Sequence, residues 1–463
     1  MYVLDKSSEK PLYIQLYEQI KKDIIENYKV GNKLPSVRKM STTYNLSKTT
    51  IESAYSQLVA EGYIDSYPNS GFRVEDTNEI KFETKNENFI IQSDKKIDCL
   101  YDFFPARLSK DFFPLKLWKR LFTKYIDEKL DLGGYSDAQG EFDLRREIAK
   151  YLKDSRAVNC NENQIIIGCG FTDSMGIVAQ ILKKIKHTTF AMENPGYYVA
   201  KNVFENYSFN IKKIPLDKNG IKIDELEKSK SKLVYITPSH QYPTGVTIPI
   251  SNRHKLLNWA KENNSFIIED DYDSELNYIN RPIPSLQGLD TENRVIYVGT
   301  FSKSLSAALR VSYLVLPMNL IQIYYELFKN SHSSVPIMTQ KVLEKFINEG
   351  HWDKHLRKIR TSNRKKHNLM KSQLIKKLGN SMKIETQGAG LSIVINPTVN
   401  MDFGKLKELA KKERIKIYFA KDVSGGDWDA IRMGFGGLKE EEIENAVNLF
   451  SKIWFQSKIK SDF

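Results

Sequence analysis

The stretch VIYVGTFSKSLSAALR, residues 295–310, decides how the rest of the chain is read. An apolar run, Val295–Val298, ends abruptly in a turn of small and hydroxylated residues. That turn carries one lysine, Lys303, and Arg310 follows seven residues later. A short apolar run stopped by a polar turn reads as a buried strand whose end can present side chains. The same pattern recurs in QIIIGCG (164–170), TTFAMENPG (188–196), SKLVYITPSH (231–240) and SFIIEDDYDSE (265–275). Helical stretches separate most of these runs. The alternation predicts an α/β fold with a mostly parallel sheet and functional groups at the strands' C-terminal ends. From about residue 340, long charged helical segments with GLSIVIN (390–396) and DAIRMGFGG (429–437) predict a smaller α+β subdomain.

The other end of the chain has a different pattern. Leu12, Leu16, Ile20 and Ile24 recur every four residues, with Tyr13 and Tyr17 widening the stripe, which predicts a helix over 11–30. Pro11 suits its first turn. SVRKMSTTYNL and SKTTIESAYSQLVAEG read as two more helices, the second capped by Ser47 and ending at Gly62. YIDSYPNSGFRV reads as a hairpin around Pro-Asn-Ser-Gly. Three helices and a hairpin make a winged helix-turn-helix over residues 1–75. Residues 76–98 are polar and weakly patterned, and read as a linker. Residues 99–463 then form the α/β part.

In a helix-turn-helix the second helix enters the DNA major groove by its N-terminal residues. Those are Ser47, Lys48, Thr49 and Thr50, whose hydroxyls, amides and ammonium suit phosphate. Ser36 and Arg38 lie on the preceding element, facing the backbone. Ser70 and Gly71 fall at the wing tip, where small side chains permit close approach. The charge is consistent with a polyanionic partner. The 463 residues carry a formal net charge of +13, and residues 31–50 hold Lys33, Arg38, Lys39 and Lys48 with no acidic residue. A second basic run, 353–377, reads as a solvated helix face. Three cysteines form no metal spacing, so no metal site is expected and a reducing cytoplasm is the simple location. No apolar run approaches a membrane span, and MYVLDKSSEKPLY lacks a signal-peptide core.

LPSVRKM, SKTTIESAYSQLVAEGYI and SGFRV resemble the winged-helix domain of the GntR superfamily of bacterial regulators. Lys48 stands where that family often has arginine, which implies phosphate contact rather than bidentate base readout. Residues 99–463 resemble fold-type I aminotransferases, which bind pyridoxal 5′-phosphate. That resemblance implies a set of roles. Lys303 is the Schiff-base lysine. Thr300, Ser302 and Arg310 bind the cofactor phosphate, with Gly170, Phe171 and Thr172 adding amides from a helix N-terminus. Asp270 pairs with the pyridine nitrogen, Tyr272 donates to the phenolic oxygen, and Tyr197 stacks on the ring. Tyr135 reaches the phosphate of the partner subunit, so a homodimer is implied. Arg432 grips an α-carboxylate. There is one departure: aminotransferases commonly have Asn-Pro-Thr-Gly where this chain has Tyr242-Pro-Thr-Gly.

Reader, linker and aminotransferase-like unit in this order resemble the MocR subfamily of GntR regulators. The resemblance implies a dimeric transcription regulator that binds an operator in double-stranded DNA. It senses either an amino compound, as an external aldimine at Lys303, or pyridoxal phosphate itself. The alternative is a working aminotransferase with a DNA-binding appendage, and a slow half-reaction is compatible with these residues. The sequence gives neither the effector nor the operator.

Overall fold

The computed structural model describes residues 2–68, 70–76, 99–126, 130–278, 283–386, 388–424 and 428–459. Beyond Asp76, the expected linker lies outside these residues, as does Asn69 of the wing turn. The chain divides into two compact units, Met1–Lys95 and Lys96–Phe463.

The N-terminal unit contains helices α1 (Leu12–Asn27), α2 (Val37–Tyr44) and α3 (Lys48–Ala60). Strands β1 (Ile64–Tyr67) and β2 (Gly71–Val74) pair antiparallel, with Ile64 opposite Val74 and Tyr67 opposite Gly71. The four-residue repeat of α1 buries Leu16, Ile20 and Ile24 against Met40, Ile51, Tyr55 and Leu58. Tyr13 does not widen that stripe. It is an exposed residue, because one step along a helix rotates a side chain about 100° away from its predecessor. The buried Tyr55 keeps its hydroxyl satisfied by donating to the Pro35 carbonyl at 2.8 Å, which ties α3 to the segment before α2. Pro11 sits just before the first turn of α1 rather than in it.

The C-terminal unit is organised by an eight-stranded sheet. After the short β3 (Tyr101–Asp102) come β4 (Ile165–Gly168), β5 (Thr189–Asn194), β6 (Asn210–Asp217) and β7 (Gly220–Ile221). Then follow β8 (Leu233–Ile236), β9 (Phe266–Asp270), β10 (Val295–Thr300) and β11 (Ser312–Val315). Their order is β4-β11-β10-β9-β8-β5-β6-β7. β10, β9, β8, β5 and β6 pair parallel, whereas β11 runs antiparallel to both β10 and β4. β4 therefore points the same way as β10, and their C-terminal ends share one edge of the sheet. β4, β8 and β9 are buried along their whole length. Both of their faces are covered, which explains continuous apolar runs instead of alternation.

The smaller sheet contains β12 (Met382–Thr386), β13 (Ser392–Pro397), β15 (Tyr418–Phe419) and β16 (Ile431–Gly434), all antiparallel in the order β12-β13-β16-β15. Between β13 and β15, β14 (Ile415–Lys416) instead pairs with β3. The basic run lies on the helix His351–Leu378. Trp352, Leu356, Ile359, Met370 and Leu374 bury one stripe of it. Lys354, Arg357, Lys358, Arg364 and Lys365 are exposed, while Lys366 is buried and donates to the Gly436 carbonyl. Among the described residues no helix is long and apolar enough to cross a membrane.

Candidate functional site

The site is built at the shared sheet edge. β10 ends at Thr300 and runs into a wide π-helical turn, Ser302–Ser306, where a simple turn was expected. Lys303 is the second residue of that turn. Its ammonium lies 3.8 Å from the centroid of the Tyr272 ring. Burial is the largest influence on it, and together with the Arg432 guanidinium it outweighs the pull of Asp273 and Asp270. The amine is lowered to about 8. About one lysine in ten is then neutral at pH 7, against roughly one in three thousand for an ordinary side chain.

The three aspartates of DDYDSE have different surroundings. Asp270 closes β9, is 4% exposed, and accepts from the Tyr235 hydroxyl at 2.5 Å. Burial pushes its carboxyl up to about 7, against the opposing pull of Lys303. Asp271 instead forms a buried ion pair with Arg156 at 2.7 Å and accepts from the Tyr297 hydroxyl. Asp273 faces His240, with Nδ1 at 2.9 Å from Oδ2. Burial pulls its carboxyl up, but the charge and hydrogen bond of His240 prevail and hold it below the usual range. The aspartate selected in the sequence is the one that closes β9, while Asp273 also acts on the Lys303 charge.

A cradle lies at the same edge. Gly170 has φ +83° and precedes the helix Phe171–Lys184, whose first residues are Phe171 and Thr172. Arg310, itself at φ +54°, donates from Nη2 to the Cys169 carbonyl at 3.3 Å. A Cβ placed on Gly170 would come 2.1 Å from that Nη2, so a larger residue would push the guanidinium away from this position, besides being strained at this φ. The Ser302 amide donates to Thr300 Oγ1 at 3.1 Å, and Thr300 Oγ1 donates to Ser302 Oγ at 3.0 Å. An exposed guanidinium, two hydroxyls and a helix N-terminus face one place, a donor set suited to a phosphate monoester.

Four aromatic rings and an arginine lie on the other side. Tyr197 packs edge-on against Phe171 and Tyr242, at 5.1 Å in each case. Tyr272 donates its hydroxyl to the His240 carbonyl at 3.0 Å, so that group is already engaged. Arg432, on β16 and 6% exposed, donates from Nη1 to the Tyr242 hydroxyl at 2.5 Å. Tyr135 does not join this cluster in its own chain: it is 84% exposed and stacks on His332 at 4.2 Å.

Sequence reasoning missed several neighbours. Tyr235 on Asp270, His240 on Asp273 and Tyr242 on Arg432 all sit in stretches singled out for other reasons. Glu193 was missed outright. It is buried in β5, and its Oε2 accepts from the Thr237 amide and hydroxyl and from Gln241 Nε2. Burial raises its carboxyl to about 7. Its signal was an acid inside an otherwise apolar strand run.

In the N-terminal unit Ser36 caps α2 by accepting from the Lys39 amide, and Ser47 caps α3 by accepting from the Thr50 amide at 3.1 Å. Arg38, Lys48 and Thr49 are exposed, and Thr50 is half-buried. Ser70 accepts from Arg73 Nη2 at 3.0 Å, and Gly71 opens β2 at φ +80°. Arg73, whose backbone bridges to that of Lys33, adds a cation that was not singled out in the sequence.

Fold and site together define an aminotransferase-like unit of the pyridoxal-phosphate-binding fold, carried on the same chain as a winged-helix module. Residues 108–450 match the family of class I and II aminotransferases, and residues 12–74 match the gntR family of bacterial regulatory proteins. The chain belongs to the MocR/GabR-like subfamily of GntR transcription regulators. It is 36% identical to the HTH-type transcriptional regulator YdeL of Bacillus subtilis, over 97% of this chain and 98% of that one. It is 30% identical to the probable rhizopine catabolism regulatory protein MocR of Rhizobium meliloti, over 97% and 94%. Among solved structures, the multiple substrate aminotransferase of Thermococcus profundus superposes with a TM-score of 0.69. That match covers 78% of this chain and 92% of the other at 22% identity, and speaks for the fold alone. The likeness to regulators over nearly the whole chain favours regulation over stand-alone transamination.

Proposed function

We propose that this regulator holds pyridoxal 5′-phosphate at Lys303, reads a small amino compound there, and as a homodimer binds an operator through its winged helices. The observation that carries the reading is the placement of Lys303. A depressed lysine amine lies at the same sheet edge as an arginine–hydroxyl–helix cradle and a buried aspartate. Arg310, Thr300, Ser302 and the amides of Gly170, Phe171 and Thr172 would hold the phosphate. Asp270 would face the pyridine nitrogen, and Tyr197 the ring.

When bound, the cofactor supplies an aldehyde and an electron-accepting ring. Lys303, partly neutral near pH 7, supplies the amine that joins it. Asp270 at about 7 on its own would ionise fully against a cationic partner, because an opposite charge favours the charged form. Arg432 would take the carboxylate of an amino-acid effector. The Phe171, Tyr197 and Tyr242 rings keep water from one flank of the pocket. An effector that favours one arrangement of the dimer changes operator affinity by its differential binding.

The test uses purified full-length protein. Wild type is expected to take up pyridoxal phosphate with the visible absorbance of a lysine-bound cofactor, and Lys303→Ala to lose that band. Candidate amino acids should shift the band and operator affinity without releasing keto acid. Steady keto-acid production would replace this reading with the enzymatic one. Operator binding that responds to pyridoxal phosphate alone would make the cofactor itself the signal.

A further inference from the structure

Arg432 is an under-satisfied cation. A guanidinium has five N–H donors and, when buried, ordinarily finds several acceptors. Arg432 makes one hydrogen bond among the described residues, to the Tyr242 hydroxyl, and its Nε is buried with no partner. The same tyrosine presents its ring to the guanidinium at 4.6 Å. No carboxylate forms an ion pair with Arg432 among the described residues. The phenol oxygen is therefore the acceptor that a carboxylate oxygen would otherwise be.

Tyr242 is also well placed to move without disturbing the backbone. Its amide donates to Thr237 Oγ1 at 3.0 Å, and its carbonyl accepts from Gln241 Nε2 at 2.5 Å. The backbone is fixed, so release of the hydroxyl is a side-chain rotation. Its ring meets Tyr197 edge-on at 5.1 Å and Tyr272 edge-on at 5.9 Å. Tyr272 is the ring beneath the Lys303 ammonium.

We propose that Tyr242 is a resident competitor for the carboxylate site of Arg432, which an incoming carboxylate must displace. It acts as a specificity-setting residue. An amine without a carboxylate leaves Tyr242 in place, whereas an amino acid moves it and so moves its contacts with Tyr197 and with Tyr272, the ring beneath Lys303. The inference rests on the carboxylate role proposed above for Arg432.

The experiment titrates full-length, pyridoxal-phosphate-loaded protein calorimetrically with L-alanine and with isopropylamine, which has a methyl group in place of the carboxylate. Tyr242→Phe keeps the ring and removes the acceptor. It is expected to bind L-alanine about tenfold tighter than wild type, the scale of one hydrogen bond to a charged group. Isopropylamine affinity should change less than about twofold, well within such a bond's worth. Equal, weaker or undetectable L-alanine binding by Tyr242→Phe overturns the proposal and would make the hydroxyl a helper of the arginine or a bystander. Arg432→Gln separates the two readings. If it binds L-alanine as wild type does, the carboxylate role of Arg432 fails whatever Tyr242 does. A measurement on the unmutated protein guards against a misfolded variant. Nitration of Tyr242 by tetranitromethane, read by mass spectrometry, should rise on saturation with L-alanine and not with isopropylamine. Unchanged or reduced nitration with L-alanine also overturns the proposal.

Discussion

Asp270 shows how much one buried acid can report. Burial raises its carboxyl to about 7, so the folded, cofactor-free chain keeps this proton over a range where the unfolded chain has lost it. Where the folded state binds more protons, stability falls as pH rises. The window runs from the ordinary aspartate value near 4 up to about 7, and the loss is complete above it. Asp270→Asn lacks this titration. In cofactor-free protein the variant should therefore gain on wild type as pH rises from 5 to 7. The expected slope is up to about 1.4 kcal/mol per pH unit, that of one proton. Urea midpoints at several pH values measure it. A difference independent of pH would mean that Asp270 is ionised throughout, and that Tyr235 and Lys303 outweigh burial. With the cofactor bound the proposed reading predicts that the trend between pH 5 and 7 disappears, because a cationic ring nitrogen keeps the carboxylate ionised throughout that range.

At the scale of elements, the recognition helix carries its own test. Ser47 is spent on capping α3, since it accepts from the Thr50 amide and its Oγ lies 2.7 Å from Thr50 Oγ1. Ser47→Ala should cost the winged-helix module about 1 kcal/mol, as lost caps do. Lys48, exposed at the first helical position, makes no such contribution to the fold. Lys48→Ala should leave thermal stability unchanged, weaken operator binding, and lower the slope of log affinity against log salt by about 0.9, one phosphate contact. An unchanged slope would move Lys48 off the DNA. These elements were legible because each had a local signature: a four-residue apolar repeat, a serine cap, a strand run stopped at a polar turn. β6, β7, β11 and β12 were not singled out. β6 alternates buried and exposed residues only weakly, and β7 is two residues long. β11 is antiparallel and follows the lysine turn after only short helical turns, where the chain offers no long crossover helix to announce a new strand. In the candidate site, Asp270, Lys303 and the residues expected to hold a phosphate could be singled out because they lie at strand ends and in stretches that resemble the family's. The partners Tyr235, His240 and Tyr242 were not, because only the fold brings residues 35, 33 and 190 positions apart into hydrogen-bond reach.

At the scale of the whole molecule, the question is what completes the phosphate cradle. Arg310 and the two hydroxyls leave one side to solvent, and Tyr135 lies outside the cluster with its ring 84% exposed. Its ring is stacked on His332 and open to solvent, so it is free to meet a surface of a second chain. The proposed homodimer supplies that surface: each Tyr135 would serve the partner's Lys303 site. Two variants, each defective alone, test this. Lys303→Ala homodimers have no lysine to join the cofactor, and Tyr135→Ala homodimers should hold it about tenfold more weakly, the loss of one hydrogen bond to a charged group. In a co-expressed heterodimer, the subunit that keeps Lys303 faces the subunit that keeps Tyr135. Exchange across the dimer therefore restores one native site per heterodimer, so cofactor titration should reveal one tight site per two chains. If Tyr135 served its own chain, the same heterodimer would carry no tight site, since each subunit would lack one of the two residues. A chain that sediments as a monomer at micromolar concentration would remove the premise. A tight site in the heterodimer would mean that occupancy at each Lys303 depends on both chains, the coupling that the proposed effector response requires.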